Sequence, residues 1–97
     1  MNMQAMLRQA QQMQKQMLNE QEKINNSTYV GENGLVKITM KGSRRIEKVD
    51  IQKDEDFSKD DLDMLEDMVM VAVNDALTKI DKDTEEKLGK YTKGLPC

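Results

Sequence analysis

Histidine and tryptophan are missing from these 97 residues, cysteine and proline occur once each, and only three side chains are aromatic. Without histidine the chain lacks the usual general base and the commonest metal ligand. A lone cysteine, Cys97, cannot close an intrachain disulfide, supply a zinc site or act as a placed nucleophile. No glycine loop has the spacing that cradles a nucleotide phosphate. Neighbouring carboxylates occur only in polar surroundings, with no apolar pocket to raise a pKa. The expectation is therefore a protein that is not an enzyme and uses no cofactor, metal or small-molecule substrate. No apolar run approaches the ~18 residues of a membrane span. The glutamine-rich start does not resemble a secretory leader, so neither a membrane nor a secreted context is expected. A reducing cytoplasm is the default for so few cysteines.

What is present is charge and methionine. Apolar residues make up 37% of the chain, and nine of its residues are methionines. A single small domain is expected, with a modest core and adaptable apolar contacts. The net charge of −3 is unevenly spread. Residues 25–53 carry six basic against three acidic groups, whereas residues 54–97 carry six against thirteen. An acidic total counts against nucleic-acid binding, but local patches matter more.

Residues 1–24 are rich in Gln, Met, Leu, Ala, Lys and Glu, with no Gly or Pro, and read as one helix. Met3, Met6, Ala10, Met13, Met17 and Ile24 fall at heptad spacing, with Glu20 the one lapse. Such a narrow stripe fits either a half-buried helix or a helix paired with another chain. Asn25-Asn26-Ser27 is read as the stop. Thr28-Tyr29-Val30 reads as a short strand, followed by a turn at Gly31-Glu32-Asn33-Gly34 with Asn33-Gly34 as a type I′ pair. Gly31-x-x-Gly34 has the outline of an RNA-backbone clamp, but it lies between strands and carries Glu32.

Alternation at Val36, Ile38 and Met40 predicts a second strand, and Ile46 to Ile51 a third. Gly42-Ser43 suits a type II′ turn. It would set Lys41 opposite Arg44, Val36 opposite Val49 and Gly34 opposite Ile51. Val36, Ile38, Val49 and Ile51 then share one face, and cations crowd the tip. The whole of 28–51 reads as a three-stranded antiparallel meander.

Asp54-Glu55-Asp56 and Asp60-Asp61-x-Asp63 lack the glycine and glutamate of a calcium loop. Ser58 instead reads as an N-cap, with Asp60, Asp61 and Asp63 on the positive end of a helix dipole. That second helix is expected over 59–88. Leu62, Leu65, Val69, Ala72, Ala76 and Ile80 form its stripe, and Met64, Met68, Val71 and Val73 widen it. Beyond Ile80 the stripe gives out, and Gly89 reads as the C′ residue before a flexible tail over 89–97. The fold class is α+β, an α-β-β-β-α subunit with two long helices.

What remains for function is binding. Lys37, Lys41, Arg44, Arg45 and Lys48 make the densest basic patch. Arg8, Lys15 and Lys23 lie on the first helix, and Lys79, Lys82, Lys87, Lys90 and Lys93 on or after the second. Such groups would contact phosphate with little sequence selectivity, and no recognition helix or aromatic stacking surface accompanies them. The first helix and the open sheet edge lack partners, which a two-fold dimer would supply. Met6 and Met13 on the helix and Val36, Ile38 and Val49 on the sheet are the expected dimer contacts. The rival reading is a helical module that binds another protein through its Met-rich first helix.

Three stretches resemble the YbaB/EbfC family of small bacterial nucleoid-associated proteins. They are the Met/Gln-rich segment Met3 to Gln14, Gly34-Leu-Val-Lys-Ile-Thr-Met-Lys-Gly42, and Leu65-Glu-Asp-Met-Val-Met-Val-Ala-Val-Asn-Asp-Ala76. Their order and spacing match over nearly the full chain, including Gly94-Leu-Pro96. The resemblance implies a tweezer-like homodimer in the cytoplasm and nucleoid that binds double-stranded DNA with little sequence selectivity. It also implies a role in nucleoid organisation or gene regulation. In that picture the helical arms meet the duplex through Arg8 and Lys15 on the first and Lys79, Lys82 and Lys87 on the second. Lys41, Arg44 and Arg45 then lie nearer the dimer body.

Overall fold

The computed structural model describes residues 2–52 and 58–92. Its order is α1 (Met3–Asn26), β1 (Thr28–Asn33), β2 (Val36–Lys41), β3 (Ile46–Ile51) and α2 (Lys59–Thr92). The expected α-β-β-β-α, α+β architecture is what the chain adopts. The Asp54-Glu55-Asp56 run and the stretch from Lys93 to Cys97 lie outside the described residues.

Asn2 caps α1, its side-chain oxygen accepting from the Gln4 N–H at 3.1 Å. The helix runs two residues past the expected stop. Ser27 ends it by turning to extended backbone while its N–H and hydroxyl bond back to the carbonyls of Ile24 and Lys23. At the start of α2 the Ser58 N–H and hydroxyl both donate to the Asp61 carboxylate, at 2.8 and 3.1 Å. This is the carboxylate half of a capping box; the Ser58 hydroxyl donates to Asp61, where the expected N-cap role would have it accept from a helix N–H.

The strands form one antiparallel sheet in the order β1-β2-β3. Both turns differ from expectation. β1 continues through Asn33, which pairs with Val36, so the first turn is Gly34-Leu35 and not Asn33-Gly34. Gly34 has φ 56 at the first central position, as a II′ turn requires. At the second turn Gly42 is not left-handed; Arg44 is, with φ 69. The loop is thus three residues long, and the ladder shifts to Val36↔Ile51 and Ile38↔Val49, with an irregularity at Thr39/Met40. Against the expected register this is a slip of two from Lys48 to Ile51, which leaves those side chains on their predicted faces; past the irregularity the slip is one, and Ile46 pairs with Met40 where Thr39 was expected.

Those faces decide the core. Val36, Ile38 and Met40 are buried with Ala72, Ala76 and Ile80 of α2, and Leu65, Met68, Val69, Val73 and Leu77 pack around them. Each fully buried Val, Ile or Met side chain among them contributes ~1.5–3 kcal/mol before the entropy cost of ordering it. α2 crosses β1 where both backbones are nearly bare. A Cβ on Gly31 would lie 2.0 Å from the Ala72 carbonyl oxygen and 2.5 Å from the Ala76 nitrogen. Gly31 is therefore a packing residue, not part of a nucleic-acid clamp.

The expected α2 stripe needs two amendments. Leu62, Met64 and Val71 are exposed, so the packed face begins at Leu65. Past Ile80 the helix does not stop at Gly89 but runs to Thr92, with Thr84, Leu88 and Tyr91 half-buried at helical spacing. This distal part of α2 faces the end of α1, where Ile24 is buried. Gly42 closes the junction. Its N–H donates to the Ser27 carbonyl, and a Cβ there would lie 1.8 Å from the Ile24 oxygen. Helix, turn and helix meet at one point, from which the molecule extends to 72 × 25 × 13 Å.

Candidate nucleic-acid interface

The length comes from helices that outrun the sheet. Residues 3–16 of α1 are exposed on every side, and only the end of the helix meets α2 and β2. Arg8 and Lys15 are seven residues apart, hence within about 20° of each other around the axis. Met6, Met13 and Ile24 lie on the opposite side. The arm thus has a cationic face and a methionine face, and Met3, Met6, Leu7 and Ala10 line a shallow apolar pocket near its tip.

The second arm is α2 beyond the sheet. Lys82 makes no ion pair among the described residues, but Lys79 and Lys87 do. Lys87 meets Asp83 at 3.0 Å. Lys79 meets Asp75 at 3.3 Å and also donates to the Val30 carbonyl at 2.6 Å. Lys90 lies 5.1 Å from the centre of the Tyr91 ring. Between the arms, Asn19, Glu22, Lys23, Asn26 and Ser27 face Lys87 across a polar cleft of about 640 Å³.

The hairpin tip is the third basic group. Lys41 and Arg45 make no ion pair among the described residues, while the Arg44 guanidinium is bound by the Asp81 carboxylate of α2. Lys37 and Lys48 occupy the sheet face away from α2, beside Glu32 at 3.9 Å and Asp50 at 3.6 Å respectively. The eight positions expected to touch DNA thus fall into three places, two arms and a tip. Arg8, Lys15, Lys41 and Arg45 have ammonium or guanidinium groups without a carboxylate partner among the described residues; Lys82 makes no ion pair there, though its charge helps to hold the Asp75 carboxyl down.

The expected dimer contacts divide similarly. Met6, Met13 and Val49 are exposed, whereas Val36 and Ile38 are consumed by the subunit's own core. Val49 faces the same side as Ile38, yet α2 lies over β1 and β2 and does not reach β3. Val49 and Ile46 are left about half open for that reason.

Sequence reasoning missed the carboxylates that organise these cations. Asp83 accepts from the Tyr29 hydroxyl and from Lys87, and both hold its carboxyl below the usual range, Tyr29 more strongly. Asp75 is held down first by the Glu32 N–H and then by Lys79. Burial, with Asp83 second, pushes the Tyr29 hydroxyl up to about 12. The four-residue spacings Asp75–Lys79 and Asp83–Lys87 were legible as helix pairs. The contacts of Tyr29 with Asp83 and of Arg44 with Asp81 span 54 and 37 residues and left no local trace. Among the described residues no group of histidine, cysteine, aspartate or glutamate side chains could hold a metal ion. No helix there is long and apolar enough to cross a membrane.

Comparison with known proteins agrees with the earlier resemblance. A protein from Lactococcus lactis subsp. lactis named nucleoid-associated protein is 51% identical, the match covering 99% of this chain and 98% of the relative. One of the same name from Enterococcus faecalis is 50% identical over 98% of this chain and 92% of its own length. Another, from Lactobacillus acidophilus, is 46% identical over 98% of this chain and 86% of its own. The model of the YbaB/EbfC DNA-binding family matches residues 1–95, nearly the whole chain, and the chain belongs to that family.

Proposed function

We propose that the protein binds double-stranded DNA as a homodimer, through its phosphates and largely without sequence selectivity, in nucleoid organisation or gene regulation. The observation that carries this reading is the alignment of Arg8 and Lys15 on one face of a free helix, opposite the methionines. A cationic face backed by an apolar one lets the arm meet a duplex on one side and protein on the other. Lys82, Lys41 and Arg45 add further unpaired cations, and phosphate contacts fix position without reading bases. Family membership and the names of the relatives support the DNA partner and a place at the nucleoid. Homodimerisation is supported by apolar surface left bare at Met6, Met13, Ile46 and Val49. No property of these surfaces calls for catalysis.

Titrating a random-sequence duplex by fluorescence anisotropy at several salt concentrations tests this. Each neutralised phosphate steepens the fall of log K with log salt by ~0.9, so several contacts give a slope well steeper than −1. A slope shallower than −1 would overturn the phosphate mechanism. The Met-rich pocket at Met3, Met6, Leu7 and Ala10 favours the rival, a helical module for another protein. That reading predicts no loss of partner binding when Arg8 and Lys15 are replaced by glutamate.

A further inference from the structure

Arg44 is the only non-glycine residue with positive φ among the described residues. Its N–H donates to the Lys41 carbonyl at 2.8 Å, and the Lys41 N–H donates to the Arg45 carbonyl at 2.9 Å. This is a type I turn closed by a left-handed residue, a position glycine occupies without strain. The local glycine is two residues earlier, at Gly42, where the Ile24 carbonyl leaves no room for a side chain. An arginine therefore sits in a backbone conformation that disfavours it, at a solvent-facing tip. Strain of this kind is kept where the side chain has a task.

That task is not explained by stability. The guanidinium is held by Asp81, but the two side chains are 52% and 61% exposed. Ion pairs so open contribute little to folding. The chemistry of the pair is more telling. A guanidinium fork presents parallel donors to two oxygens, and carboxylate and phosphate satisfy it equally well. Lys41 and Arg45 flank Arg44 with no carboxylate of their own among the described residues. An anion arriving at the tip meets two free cations and a third already occupied.

We propose that Asp81 is an internal substitute for a DNA phosphate. It holds the Arg44 guanidinium in the unbound protein and yields it to the backbone of the duplex. The inference rests on the DNA-binding reading above and assigns that reading a gate. In the free state Asp81 masks one cation at the tip and places a carboxylate where the duplex would lie. On binding, a phosphate oxygen takes the place of the carboxylate, and Arg44 joins Lys41 and Arg45 as a cluster. The exchange makes and breaks only ion pairs.

A double-mutant cycle on the full chain tests it, with affinity for a random-sequence duplex measured over a range of salt. D81N should tighten binding by ~2- to 5-fold, the range set by releasing one exposed ion pair. E86Q removes the same charge from an exposed position on α2 without freeing a guanidinium, and should tighten it less. In an R44G background D81N should lose that excess over E86Q. R44G alone should fold with an unchanged or raised melting temperature, since glycine fits the turn. It should bind more weakly, with a salt slope shallower by ~0.9 per subunit. Equal effects of D81N and E86Q would overturn the proposal, as would an unchanged slope in R44G. Failure of the unaltered protein to bind DNA would overturn the functional reading and this gate with it, a result distinct from binding without coupling.

Discussion

Lys79 on α2 donates from Nζ to the main-chain carbonyl of Val30 on β1, at 2.6 Å. One turn earlier, Asp75 accepts from the Glu32 N–H at 3.0 Å. β1 is an edge strand, and its outward amide and carbonyl would otherwise be a template for a further strand. The helix that covers the face of the sheet thus also closes one of its edges with side chains. No α2 side chain bonds to the main chain of β3 among the described residues, so the guarded and unguarded edges lie on opposite sides of the same small sheet.

Lys79 and Lys82 therefore have different expected roles, though both are basic residues of α2. Lys79→Ala opens the β1 edge and should raise self-association, read by light scattering at increasing protein concentration. The exposed pair it breaks is worth at most ~1 kcal/mol, so the subunit should stay folded. Lys82→Ala should leave association unchanged and weaken DNA binding. Lowered scattering from the Lys79 variant would show that the ammonium does not guard the edge.

The contact of Tyr29 with Asp83 ties β1 to the base of the second arm and gives a pH signature at each end. The Tyr29 hydroxyl is pushed up to about 12 from its ordinary 10.0, so the folded state keeps its proton longer than the unfolded chain. This contribution is complete below pH 10 and disappears as pH rises toward 12. Asp83 is shifted down, so its contribution is present above the ordinary carboxylate range and fades as pH falls through the lowered value. Tyr29→Phe should cost ~1 kcal/mol at pH 7 in chemical denaturation. It should also flatten the alkaline decline between pH 10 and 12. An alkaline profile identical to that of the unaltered protein would show that Tyr29 is not its source.

Most of the fold was legible because periodicity survives local error. Val36, Ile38 and Met40 alternate strictly, and a register slip of two left them facing α2. The two turns differ from expectation for different reasons. Asn33-Gly34 is the preferred type I′ pair, yet Asn33 stays in β1 and the left-handed position falls on Gly34 with Leu35 behind it. Gly42 suits a II′ turn by residue type, whereas it makes room for the Ile24 carbonyl, which only the tertiary structure supplies. The site was legible as a set of cations but not as their availability. Arg44 and Lys41 look alike in the sequence, and only the distant Asp81 separates them. Gly89 was read as a helix end for the same want of context; α1 lies beside this part of α2 and the helix continues.

The glycines offer a paired test of that account. Gly42→Ala places a Cβ 1.8 Å from the Ile24 carbonyl oxygen, which is main chain at the end of a helix. The turn or the helix must move, and a loss at or above the upper end of ~1–3 kcal/mol is expected. Among the described residues, a Cβ at Gly89 meets Glu85 Cγ alone, at an ordinary 3.8 Å, inside a helix. There alanine should stabilise by ~0.5–1 kcal/mol. Denaturant midpoints of the two variants should therefore move in opposite directions. Equal losses would mean that Gly89 also serves a close approach.

The proposed dimer can be located by three substitutions that differ in what they touch. Ile38 is fully buried within the subunit, so Ile38→Ala should cost ~2–5 kcal/mol and act on folding itself. Met13 and Val49 are each about half exposed, and a lysine at either can reach water without disturbing the core. If the subunits meet through the methionine faces of their arms, Met13→Lys sediments as a folded monomer and Val49→Lys remains dimeric. If they meet across the unguarded β3 side of the sheet, the two results exchange. Helical circular dichroism of both variants should match the unaltered protein, which separates lost association from lost fold. If both lysine variants remain dimeric at micromolar concentration, neither bare apolar surface is the interface.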